Sequence, residues 1–120
     1  MEFNYEKLEV AKLAKSLIND IYKLTESFPS KEIYGLVNQI RRAVVSILLN
    51  LAEGSNKESK KDFNRFVRIS VGSLVEVDCA LKISIDLVYI TNVDYNKLEP
   101  KIKELYFKLI GLSKYLISTS

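Results

Sequence analysis

Residues 33–51 read IYGLVNQIRRAVVSILLNL. Ile33, Leu36, Val37, Ile40, Val44, Ile47, Leu48 and Leu51 recur at steps of three and four. That spacing gathers side chains on one face of an α-helix and predicts a helix over about 31–53. At about 100° per residue the stripe covers an arc of roughly 140°. Val45, Leu49 and Ala52 form a second apolar strip about 140° away, and Gln39, Arg42, Ser46, Asn50 and Glu53 fill a polar arc of about 80°. Upstream, Phe28-Pro29-Ser30 breaks the pattern, because proline disfavours the α conformation in its predecessor and serine suits an N-cap. Downstream, Gly54 stands where a left-handed C-terminal cap is expected.

Three further helices follow from the same period. Leu8, Ala11, Ala14, Leu17, Ile18, Ile21 and Leu24 predict one over about 5–27. Ser59 with Asp62 resembles a capping box and opens a segment to about residue 89, striped by Phe63, Phe66, Val67, Leu74, Val77, Leu81, Ile85 and Val88. As a helix it would reach roughly 45 Å. Gly72 inside it costs about 1 kcal/mol relative to alanine, so it marks either a close backbone approach or a kink. Ile102, Leu105, Leu109, Leu112 and Leu116 predict the last helix, over about 94–117. Pro100 means that this helix begins just before it or is kinked there. Short connections force antiparallel neighbours, so the expected fold is all-α, a single up-down-up-down four-helix bundle domain over 1–120.

The apolar surface exceeds what one bundle needs. Beside the strip of Val45, Leu49 and Ala52, the third helix carries Ile69, Ala80, Ile83 and Leu87 away from its main stripe. Tyr22, Tyr34, Tyr89, Tyr106 and Tyr115 add side chains that favour interfaces. Self-association is the expectation, with a broad core and scattered exposed aliphatics as the alternative.

With 120 residues, 48% hydrophobic and 28% charged, the chain suits one globular core. It contains no histidine, which removes imidazole acid–base catalysis, histidine-based triads and the usual zinc sites. No phosphate loop or dinucleotide fingerprint is present, so neither an enzyme nor a cofactor is expected. The lone Cys79 fits a reducing compartment and is expected in the core. The N-terminus lacks the pattern of a secretory signal, and no apolar run is long enough for a bilayer, so a cytoplasmic protein without membrane contact is expected.

The net charge of +3 is unevenly placed. Residues 1–28 sum to −1, residues 30–72 to +4 and residues 73–120 to zero, and all four arginines lie in the middle block. Candidate nucleic-acid ligands are therefore Arg41, Arg42, Lys57, Lys60, Lys61, Arg65 and Arg68, with a merely solvated face as the alternative. Lys61, Arg65 and Arg68 share one helix face at i, i+4 and i+7. The polar set Gln39, Arg42, Ser46, Asn50 and Glu53, with Glu76, is either a ligand groove or a hydrogen-bonded network between helices or subunits. The carboxylates Glu53, Glu76 and Asp78 have no assignable acid–base role.

The stretch from Gln39 to Gly54, with Phe28-Pro29, Glu32, Tyr34-Gly35-Leu36, Phe63 and Phe66, Gly72-Ser73 with Glu76, and Ile110-Gly111-Leu112, resembles the four-helix-bundle proteins encoded in intervening sequences of large-subunit ribosomal RNA genes. Leu51, Val71 and Pro100 depart from the usual pattern. The resemblance implies a bundle assembled into a ring, typically a homopentamer. The chain is also similar to the accessory variability determinant proteins of diversity-generating retroelements, which implies RNA or DNA and a reverse-transcriptase-like or other protein as partners. It places Arg41, Arg42, Ser46, Asn50 and Glu53 on motif positions and makes none of them catalytic.

Overall fold

The computed structural model describes residues 1–119. Four α-helices follow in order: α1 Glu9–Thr25, α2 Leu36–Ser55, α3 Lys60–Asp86 and α4 Asn92–Ser118. Single 3-10 turns stand at Asn4–Lys7 and Ser30–Glu32, and the described residues contain no strand. α1 and α3 each pack on α2 and α4, and neither diagonal pair packs directly. This is the antiparallel four-helix arrangement, 45 Å long. Among the described residues no helix is long and apolar enough to cross a membrane.

The predicted stripes meet at the centre. Leu17, Ile21, Ile40, Ile47, Leu51, Leu74, Leu81, Leu105 and Leu109 are fully buried. Burial of each such side chain contributes about 1.5–3 kcal/mol. Hydroxyls inside the core are all satisfied. Ser70 Oγ donates to the Ile47 carbonyl at 2.8 Å, Ser84 to that of Ala80 at 2.8 Å, and Ser113 to Asn64 Oδ1 at 2.6 Å. Lys101 bridges α4 to Asp20 of α1 at 2.5 Å, and Lys108 pairs with Glu9. On the far side, the buried Tyr95 donates its hydroxyl to Asp78 at 2.5 Å, and Lys82 closes on the same carboxylate at 2.8 Å. Burial first, and then the Asp78 carboxylate, hold the Tyr95 hydroxyl above its usual pKa.

α2 begins at Leu36 and not near residue 31, and Ser30 opens a 3-10 turn instead of capping the helix. The cap is supplied by Glu32. Its Oε1 accepts the Leu36 N–H at 3.1 Å, and its Oε2 accepts the Tyr89 hydroxyl at 2.7 Å. Gly35 leaves room for that carboxylate, because a Cβ there would lie 2.6 Å from Glu32 Oε1. The turn throws Ile33 into solvent, so it leaves the stripe on which its spacing puts it. Tyr89 also packs on Phe28, with ring centroids 5.4 Å apart. It therefore closes one end of the core.

This linkage has a pH signature. The Tyr89 hydroxyl and then the Leu36 N–H hold Glu32 below the usual glutamate value of 4.5, while Glu32 raises Tyr89 above 10.0. The Glu32 contribution is present above the ordinary glutamate pKa and is lost as pH falls through the depressed folded value. The Tyr89 contribution is present below the ordinary tyrosine pKa and is lost as pH rises through the raised folded value. Glu32→Gln should lower the urea midpoint at about pH 7, and the gap to wild type should narrow as pH falls toward about 3. A gap constant across that range would remove the carboxylate from the account.

Other expectations change with packing. Gly54 lies inside α2 and is buried, and no glycine among the described residues has a positive φ. The left-handed residue is Val88, at φ 62°, just past α3. It is exposed instead of sitting on the apolar stripe, and α3 ends at Asp86 and not near 89. Gly72 lies in unbroken helix, and a Cβ added there would meet nothing within 4 Å, so it marks no close approach within the chain. Ala80, assigned by its spacing to the outer strip, is buried, whereas Cys79, expected in the core, is exposed. α4 starts before Pro100, where Thr91 and Asp94 exchange hydrogen bonds of 2.9 and 3.1 Å in a capping box, and then runs through the proline. Pro100 and Asn96 are exposed, so water can take the carbonyl that the proline leaves unpaired.

Candidate nucleic-acid interface

Ser59 starts α3 by accepting the Asp62 N–H on its Oγ at 3.0 Å. The connection and the first turns of α3 then place five of the seven candidate cations at one end of the bundle. Phe66 stands between two of them, with Lys57 Nζ 5.4 Å and Arg65 Cζ 4.9 Å from its ring centre. Lys57 also lies 3.4 Å from Glu53, and Arg65 lies 4.0 Å from Asp62. Lys60 sits 5.4 Å over Tyr115 and donates to the Thr119 carbonyl at 3.5 Å, where the end of α4 carries partial negative charge. Lys61 and Arg68 are exposed and make no ion pair among the described residues. All of the Lys57, Arg65 and Asp62 contacts are exposed and cost little to exchange for a phosphate.

Arg41 and Arg42 are not part of this cluster. Arg41 is half-buried and turned to α1. Its Nε donates to Thr25 Oγ1 at 2.9 Å, its Nη2 to the Tyr22 carbonyl at 3.3 Å, and its guanidinium lies 4.4 Å over the Tyr22 ring. It neutralises the C-terminal end of α1. Arg42 points outward, toward a shallow groove of about 430 Å³ shared with Ser46, Leu49 and Asn50. No carboxylate or thiol lines that groove, so it holds no acid–base pair.

The polar arc divides. Ser46 and Ser73 hydroxyls lie 2.9 Å apart across α2 and α3, and Asn50 donates to the Ser46 carbonyl at 2.8 Å and to its Oγ at 3.0 Å. Glu53 pairs with Lys57. The side chains of Gln39, Arg42 and Glu76 are exposed and make no hydrogen bond or ion pair among the described residues. No group of three His, Cys, Asp or Glu side chains converges among those residues to hold a metal.

Sequence reasoning misses the aromatic members. Phe66 falls on the core period of α3 yet is only half-buried, because it lies at the end of the bundle. Arg65 and Arg68, within one turn of it, are the signal that could find it. Nothing local points to Tyr115, which meets Lys60 only through the α3–α4 packing.

Against known proteins, the fold matches a crystal structure of a protein with unknown function from the S23 ribosomal protein family of Bacteroides thetaiotaomicron. The TM-score is 0.76 at 24% identity, covering 88% of this chain and 98% of that one, a likeness in fold alone. No curated protein matches the chain. The family model for the 23S rRNA-intervening sequence protein matches residues 6–111. With nearly the whole bundle inside that match, the chain belongs to the 23S rRNA-intervening sequence protein family.

Proposed function

We propose that this protein is a non-enzymatic, cytoplasmic, homo-oligomeric bundle whose basic end binds the phosphate backbone of nucleic acid. The observation that supports this most is the placing of Lys57, Lys60 and Arg65 beside Phe66 and Tyr115, with Lys61 and Arg68 exposed on the first turns of the same helix. Cations beside partly exposed rings suit a phosphate chain with bases stacking alongside. The family name points to RNA as the first ligand to try. Repetition of the cluster around a ring, with five copies as the resemblance implies, would multiply weak contacts into a useful affinity.

Binding to a structured RNA of mixed sequence should fall steeply with salt. Replacing Lys61, Arg65 and Arg68 together by glutamine should weaken it for every sequence and lower the log–log salt slope by about 2–3. Unchanged affinity and slope in that variant would sink the assignment.

A second reading is a protein-docking oligomer with only a solubilising basic end. It is favoured by the opposite end of the bundle, where Tyr34 is 95% and Val88 85% exposed beside Ile33 and Leu87. It predicts no RNA affinity at physiological salt and a protein partner, such as the reverse-transcriptase-like one implied by the resemblance.

A further inference from the structure

Two neighbouring sides of the bundle carry unpaired charges and exposed apolar groups in patterns that complement each other. On the side formed by the outer faces of α2 and α3, Leu49 is 61% and Ile69 44% exposed, Arg42 and Glu76 make no ion pair among the described residues, and Arg42 and Leu49 line a groove that reaches Tyr22 of α1. On the α3–α4 side, Phe107 is 62% exposed, and Glu99 and Lys103 make no ion pair among the described residues. Glu99, Lys103 and Phe107 line one apolar groove of about 260 Å³ with Val75. They follow one another at four-residue steps along α4.

Hydrogen bonds between helices give the relative heights of these groups along the bundle. Ser46 lies beside Ser73, and Ser70 reaches the Ile47 carbonyl, which sets α2 against α3. One turn from the Ser46–Ser73 pair in one direction brings Arg42 and Glu76 to a common level, and one turn in the other brings Leu49 and Ile69. Tyr95 lies beside Asp78, and Ser113 beside Asn64, which sets α4 against α3. Between those two links, Glu99 falls near the level of Glu76, Lys103 near that of Ser73, and Phe107 near that of Ile69.

We infer that the α2–α3 side of one copy seats the α3–α4 side of the next, with Phe107 against Leu49 and Ile69 and with Glu99 against Arg42. This rests on the self-association proposed above and adds the faces and the register. Copies related by rotation about an axis along the helices keep every group at its own height. Arg42 then meets Glu99, and Glu76 lies one turn from Lys103, so each unpaired charge finds its opposite while the apolar groups meet beside them. The contact joins different faces of the chain, so it is heterologous and must close on itself or continue as a filament. Adjacent sides of a four-sided bundle face roughly 90° apart, so each copy turns the next by a similar angle. A contact that turns each copy by such an angle closes the assembly into a small ring.

The test is solution mass by light scattering, with circular dichroism confirming helix content. Wild type should show a ring of several 13.7 kDa chains. Arg42→Glu, Glu99→Arg and Phe107→Asp should each lower the mass to that of a single chain, and the Arg42→Glu/Glu99→Arg pair should restore the ring. An intact ring in all three single variants would overturn the face assignment while leaving self-association standing. Dissociation in the single variants without rescue in the pair would overturn the Arg42–Glu99 register. A monomeric wild type would overturn self-association itself.

Discussion

Gly54→Val is expected to destabilise the fold by about 1–3 kcal/mol, and at fixed protein concentration this lowers Tm by roughly 5–15 °C. α2 and α3 approach closely near their connection. A Cβ on Gly54 would lie 2.7 Å from Phe66 Cβ and 3.2 Å from the Phe63 carbonyl oxygen. Neither atom is the end of a flexible side chain, so relief requires the two helices to move apart. That movement would disturb Phe66, and with it the pair of cations that flank its ring. The helical preference of valine over glycine offsets only part of the loss. The control is Gly111→Ala. Gly111 is inside α4 with nothing within 4 Å of its Cβ position, so the same kind of change should stabilise by about 1 kcal/mol. Thermal melts of the two variants should move in opposite directions. A melt of Gly54→Val at or above wild type would show that the helices do not meet there.

Val88→Gly should act with the opposite sign and raise stability by about 1 kcal/mol, or roughly 3–6 °C. Val88 adopts φ 62° at the end of α3. Its own N–H donates to the Ile85 carbonyl at 2.9 Å, and the Tyr89 N–H donates to the Ser84 carbonyl at 2.9 Å. Those two bonds form the Schellman closure, whose left-handed position normally belongs to glycine. A β-branched side chain there costs about 1–2 kcal/mol, and the larger unfolded-state freedom of glycine returns part of that gain. The valine is 85% exposed, so its removal forfeits little burial. A urea midpoint that falls in Val88→Gly would show that the side chain makes a stabilising contact outweighing the strain.

The two substitutions bear on what the sequence can tell. Glycine after an apolar stripe suggests a left-handed cap, and Gly54 reads as one on that ground. The structure instead uses Gly54 for close helix packing and puts the left-handed residue at Val88. Both outcomes depend on how near another chain segment passes, which local periodicity does not encode. Ile33 shows the same limit. Its spacing is right for the α2 stripe, but Glu32 caps the helix at Leu36 through a carboxylate that also holds Tyr89, 57 positions away.

In the basic cluster, the i, i+4, i+7 spacing of Lys61, Arg65 and Arg68 is legible because it is a property of one helix. Composition groups Arg41 with them, yet it turns to Tyr22 and Thr25 of α1. Its neighbour Arg42 lies about 100° around the helix and faces outward. Lys60 meets Tyr115 only because α3 and α4 pack side by side.

Residue order alone determined four amphipathic helices, their sequence along the chain, and the antiparallel bundle that short connections impose. These follow from the period of apolar residues and from chain reach, both of which are local. Only the tertiary structure decided which glycine is a spacer, which residue bears the left-handed turn, which arginines stay free, and which rings lie beside them. Each of those is set by the distance between helices that meet far apart in sequence, and that distance is fixed by the packing of side chains that fill the core together.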